Sequence, residues 1–147
     1  MTINEFTALR DLPEKTVLTD LIFSQTINPD IFTSEIRVNA LGAEIVLNAT
    51  YYDARPSIVF NFRVIGNDAI CRYCVNHTEH KDAITKVKVR THKHTPKNDN
   101  CFNGSNNLPY AYTRTDLQIT DFSDVAGIWA IICREANIKH LGKVAKL

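Results

Sequence analysis

The chain has 147 residues, 44% hydrophobic and 22% charged, with a formal net charge of +1. This composition excludes collagen-like, disordered and membrane-spanning chains, and the length suits a single domain whose core needs neither disulfide nor metal. Seventeen Lys plus Arg stand against sixteen Asp plus Glu, so affinity for a polyanion must come from where the charges sit, not from their sum.

The start, Met1 to Phe6, has no cationic run followed by an apolar stretch, so a secretory leader is not expected. Cys71, Cys74, Cys101 and Cys133 are accordingly expected as thiols of a cytoplasmic protein. Residues 1–32 form a poorly defined N-terminal segment, in which Thr16 to Phe23 fits a short helix slightly better than a strand. Strands dominate over 33–115. Ile36 and Val38 alternate with Glu35 and Arg37, and Ala40-Leu41-Gly42 can turn the chain. Ile45, Leu47, Ala49 and Tyr51 then share one face, and after the turn signal Asp53-Ala54-Arg55-Pro56 so do Ile58, Phe60, Phe62 and Val64. Gly66-Asn67-Asp68 precedes a strand over Ala69 to Val75, and Ile84 to His94 alternates strictly. Thr95 to Leu108 reads as a loop and Pro109 to Thr115 as a short last strand.

The one clear helix is expected within residues 121–138, where Val125, Ile128, Trp129, Ile132 and Ala136 recur at helical spacing and Asp121 or Ser123 can cap the start. Gly142 can end any extension, and the Lys-rich tail is expected to fray. The expected fold is therefore α+β: a meandering antiparallel sheet of five to six strands, with the C-terminal helix on one face and the whole of 1–147 as one domain.

Three chemistries can be read from the middle of the chain. Cys71, Cys74, His77 and His80 recur every third residue and could hold zinc. In a strand, however, the odd offset sends Cys71 and Cys74 to opposite faces. Between Ile84 and Lys97 there are five basic residues (Lys86, Lys88, Arg90, Lys93, Lys97) and no acid. On a strand, residues two apart lie about 6.6 Å from each other, near the spacing of successive phosphates. Lys86, Lys88 and Arg90 would then share a face with His92 and His94, and Arg72 would sit on the neighbouring strand. The same pattern also suits an edge strand whose lysines prevent aggregation. Finally, two imidazoles beside an arginine could cleave RNA without metal, one accepting the 2′-hydroxyl proton and the other protonating the leaving oxygen. Gly-rich phosphate loops, Gly-x-Ser-x-Gly elbows and His-Glu-x-x-His helices are absent from the sequence.

The runs Ile70-Cys71-Arg72-Tyr73, His77-Thr78-Glu79-His80-Lys81 and Arg90-Thr91-His92-Lys93-His94-Thr95-Pro96, followed by a C-terminal helix, resemble the TumE-like toxins of bacterial toxin–antitoxin modules and related small families over about residues 33–138. The resemblance implies that Arg72, Tyr73, His77, His80, His92 and His94 are the shared polar residues. Three functions follow as expectations. The first is a toxin-like protein engaging RNA or another polyanion, with Arg72, Lys86, Lys88 and Arg90 on phosphate, His92 and His94 as acid–base pair, and His77 or His80 assisting. The second is a non-enzymatic inhibitor of a nucleic-acid enzyme or of a cognate protein partner. The third is a zinc protein using Cys71, Cys74, His77 and His80. No membrane association and no other cofactor is expected.

Overall fold

A computed structural model describes residues 15–40, 43–64, 69–95 and 110–147. The turn residues 41–42 and 66–68, the loop 96–108 and Cys101 lie outside the described residues, and so do the expectations attached to them. In chain order the strands are β1 (Lys15–Val17), β2 (Leu21–Gln25), β3 (Ile31–Ala40), β4 (Ala43–Tyr52), β5 (Ser57–Val64), β6 (Ala69–Val75), β7 (His80–Lys81), β8 (Lys88–Val89), β9 (His92–Thr95) and β10 (Tyr110–Thr113). A 3₁₀ turn (Phe122–Asp124) leads into helix α1 (Val125–Glu135), and β11 (Ile138–His140) and β12 (Val144–Lys146) follow.

The sheet has eight strands in the order β10-β9-β6-β5-β4-β3-β2-β12. From β10 to β2 each strand runs antiparallel to its neighbour, which the short connections within β2–β6 require. The pleat sorts the side chains. Phe32, Ile36 and Val38 of β3, Ile45, Leu47, Ala49 and Tyr51 of β4, Ile58, Phe60 and Phe62 of β5, and Cys71, Tyr73 and Val75 of β6 are all buried in one core. Val125, Ile128, Trp129, Ile132 and Cys133 pack onto them from α1, with the Trp129 ring stacked on Phe60 at 5.9 Å. Each large side chain so buried contributes about 1.5–3 kcal/mol, which fixes the helix on this face. Asp121 caps the start of this segment as expected, accepting the Ser123 N–H while the Asp124 side chain answers in a capping box.

The structure corrects the reading of the two ends. Thr16 to Phe23 is not helical: it spans β1, a short break and β2, and Leu21 and Phe23 are both fully buried at a period of two. The tail does not fray. β12 pairs parallel with β2, from Val144↔Leu21 to Lys146↔Phe23, and β11 pairs parallel with β1. Gly142 does not end a helix but turns the chain between β11 and β12, where a Cβ would collide with the Thr19 carbonyl. His140 ties the same corner. Trp129 Nε1–H donates to His140 Nδ1 (3.1 Å), so the ring proton sits on Nε2, 2.6 Å from the Thr19 carbonyl oxygen.

At the β9–β10 end of the helix face the core gives way to an ionic cluster. The Arg114 guanidinium donates to both carboxylate oxygens of Glu135 (2.9 and 2.8 Å), Lys93 Nζ lies 3.4 Å from Glu135 Oε1, and Tyr73 O–H donates to the same oxygen at 3.3 Å. Burial alone would raise the Glu135 pKa, but the hydrogen bond from Arg114 and the charges of Lys93 and Arg114 overcome it and hold the carboxyl below its ordinary value. A depressed folded pKa stabilises the fold above the ordinary carboxylate range, and that contribution is lost as the pH falls through the folded value. Glu135→Gln is therefore expected to cost about 1–2 kcal/mol at pH 7 in urea unfolding and clearly less at pH 3.

Candidate functional site

The opposite face of the sheet carries the chemistry. On β6 the inward residues are Cys71, Tyr73 and Val75, so Arg72 and Cys74 point away from the helix. β9 pairs with β6 in a register that sets His94 opposite Arg72, Lys93 opposite Tyr73 and His92 opposite Cys74. Cys74, His92 and His94 therefore meet on one surface, whereas Lys93 passes to the helix side. The outward residues of β4 and β5 (Thr50, Tyr52, Val59 and Asn61) continue that surface. Arg72 is held against it by a 2.6 Å hydrogen bond from its Nε to Asn61 Oδ1.

Residues 76–91 do not continue β6 but leave the sheet and fold back over it. Asn76, at φ 54°, turns the chain out; its N–H donates to Thr91 Oγ1 and its side-chain amide to the Pro56 carbonyl. At the base of the excursion the His77 N–H donates to the Arg90 carbonyl (3.1 Å), and the Arg90 guanidinium donates back to the His77 carbonyl (3.2 Å). At the far end Asp82, only 5% exposed, accepts the N–H groups of Ile84 and Thr85 at one oxygen and the Thr113 N–H and hydroxyl at the other. These bonds hold the Asp82 carboxyl far below its ordinary range and lock the turn to β10. β7 and β8 pair within the excursion, His80 opposite Val89.

This geometry overturns the single strand expected over Ile84 to His94. Lys86 is left-handed (φ 64°) and its Nζ folds back onto the Ala83 carbonyl; Lys88 lies in β8 beside Lys81; residues 90–91 are a bend before β9. Lys86, Lys88 and Arg90 consequently share no sheet face with His92 and His94, and Arg90 lies 3.8 Å from Glu79. The two histidines expected to face solvent as an acid–base pair are buried, at 0% and 4% exposure. His80 sits over them, its ring 5.0 Å from His92 and 4.8 Å from His94, and the His92 and His94 rings are 4.5 Å apart. Burial pushes the His92 imidazole down to about 4 and the Cys74 thiol up to about 11, so both are neutral near pH 7.

The zinc quartet expected from the three-residue rhythm is likewise redistributed. Cys71 is buried under the helix, as the odd offset from Cys74 required. His77 stacks on Tyr52 at 4.8 Å, and burial lowers its pKa. Cys74 and His80 remain, joined to His92 and His94 instead.

Two adjoining hollows open beside this cluster. One, about 230 Å³, is lined by Thr50, Tyr52, Asn61, Arg72, Cys74, His77 and His80 among others. The next, about 320 Å³, shares Tyr52, His77 and Thr78 with it and adds Arg55, Ser57, Asn76 and Arg90. No carboxylate lines either hollow among the described residues. Sequence reasoning found Arg72 and the histidines but passed over Asp82, Tyr52 and Asn61. The outward alternation of Thr50, Tyr52 and Asn61 against a strongly apolar inner set was the available signal. Replacing Asp82 by Asn removes the anionic acceptor from four hydrogen bonds and is expected to lower Tm and to speed proteolysis within 76–91 before the rest of the sheet yields, as limited digestion would show.

No known protein family, no curated protein and no solved structure matches this chain.

Proposed function

We propose that this chain binds the phosphate backbone of single-stranded RNA in the groove formed by the two hollows. The observation that carries the reading is the lining of that groove: Arg72 in one hollow, Arg55 and Arg90 in the next, Tyr52 and His77 shared between them, and no acid in either. Cationic donors tracking the backbone, with aromatic rings beside them for bases to stack on, are the recurrent means of holding single strands. The guanidinium of Arg72 is already oriented by Asn61, which leaves its remaining N–H groups to meet a phosphate in a fixed fork. The resemblance to TumE-like toxins, which sets Arg72, His77 and His80 among the shared polar residues, points the same way.

The reading is binding, not cleavage. His92 and His94, the pair foreseen for proton transfer, lie beneath His80 and do not line the groove. A strand held at Arg72 would not touch them.

Fluorescence anisotropy with a short labelled RNA, repeated over a range of salt, tests the proposal. Arg72→Ala is expected to weaken binding roughly tenfold and to reduce the salt slope by about 0.7, as loss of a single phosphate contact to a single strand would. Lys86→Ala, whose amine is turned back onto its own hairpin, should leave both unchanged. Wild-type protein without salt-dependent RNA affinity, or an unaltered Arg72→Ala variant, would refute the groove.

A further inference from the structure

We propose that Cys74, His80, His92 and His94 form a zinc site that fastens the 76–91 excursion to the sheet. The donor atoms of Cys74, His92 and His94 lie within 4.8 Å of one another and all three residues are buried. Tetrahedral zinc holds imidazole nitrogens at about 2.0–2.1 Å and thiolate sulfur at about 2.3 Å, which places donors about 3.4–3.7 Å apart. A contraction of at most about 1.4 Å in any pair therefore brings these three donors to zinc distance. The third imidazole, that of His80, lies over these three residues, with its nitrogens outside that 4.8 Å group, so its side chain must turn inward to ligate. The same zinc geometry sets ring centroids about 5 Å apart; those of His80, His92 and His94 are separated by 4.5, 4.8 and 5.0 Å, with rings at 80–88° to each other.

Independent support comes from His92. It is fully buried, yet neither ring nitrogen makes a hydrogen bond; the Val89 carbonyl approaches the ring without reaching hydrogen-bond geometry. An imidazole removed from water with both nitrogens unsatisfied is costly, and such groups are rare unless something else occupies them. A metal ion would engage one nitrogen directly. One sulfur and three imidazoles suit zinc and its soft neighbours, and among the described residues no carboxylate joins the cluster to favour magnesium or calcium. On binding, Cys74 gives up its thiol proton to solvent and ligates as thiolate.

The ligands come from three elements: Cys74 from β6, His92 and His94 from β9, and His80 from β7 in the excursion. His80 is exposed and its backbone pairs with Val89 of the same excursion, so the metal would add a side-chain tie to the sheet beside those that Asp82 and Ala83 already make to β10. The site shares Cys74 and His80 with the lining of the groove, but metal content and RNA affinity are read separately. Zinc retained by protein without RNA affinity would sink the groove and keep the site, and the converse result would do the opposite.

The full chain, purified without chelator, is expected to carry zinc in equimolar amount by elemental analysis. Exchange with cobalt(II) should produce a thiolate-to-metal charge-transfer band and the intense visible bands of tetrahedral coordination. Cys74→Ser should abolish the charge-transfer band. His80→Ala, which touches only an exposed side chain and should fold normally, should weaken zinc binding by at least about tenfold, since a lost ligand costs no less than a lost outer-shell partner. Cys71→Ser and His77→Ala should bind as the wild type does. Folded wild-type protein that retains no zinc and shows no cobalt bands overturns the proposal. So does wild-type affinity in both Cys74→Ser and His80→Ala, or loss of binding in Cys71→Ser or His77→Ala.

Discussion

Three residue pairs between β6 and β9 decide what each side of this molecule carries. With Arg72 opposite His94, Tyr73 opposite Lys93 and Cys74 opposite His92, every odd-numbered residue of this part of β6 belongs to the helix face and every even-numbered one to the other. A slip of one residue in β9 would exchange the faces. Lys93 would leave the Glu135 cluster for the histidine surface, and a histidine would take its place among carboxylate and guanidinium. The half-buried ionic cluster around Glu135 and the packed α1 residues lock this register from below, while the Asp82 bonds to Thr113 lock it from the β10 side.

The excursion between those strands supplies the second layer. Its path is set by local backbone chemistry more than by apolar burial. Asn76 and Lys86 take left-handed conformations, Asp82 gathers N–H groups that no ladder would satisfy, and Ile84 and Val87 remain exposed on the hairpin. What results is a polar cover with a polar floor, and the groove beside it takes residues from both.

The parts of this design that the sequence disclosed are those governed by one periodicity in one segment. Ile45, Leu47, Ala49 and Tyr51, then Ile58, Phe60 and Phe62, face the core as their alternation implied, and α1 with the Ala136 that follows it buries Val125, Ile128, Trp129, Ile132 and Ala136 as the spacing implied. The misread parts depend on distant partners. Leu21 and Phe23 alternate over too few residues to distinguish strand from helix, and their partner strand lies near the other end of the chain. Lys86 to His94 alternates well, but alternation cannot reveal that Asp82 and Lys86 bend the chain before β9 begins. It also cannot reveal that His80 will cover the face on which His92 and His94 emerge. The crowding of histidines in this part of the chain was legible, but the burial of His92 and His94 was not.

The parallel pairings of β1 with β11 and of β2 with β12 join segments separated by almost the entire described chain. Closing a loop of that length costs entropy that the local β3–β6 meander does not have to meet, so these pairings are expected to form after the meander has condensed. Once formed, they bind the fully buried Leu21 and Phe23 into the core, so that strands from opposite extremes of the described chain hold or yield together.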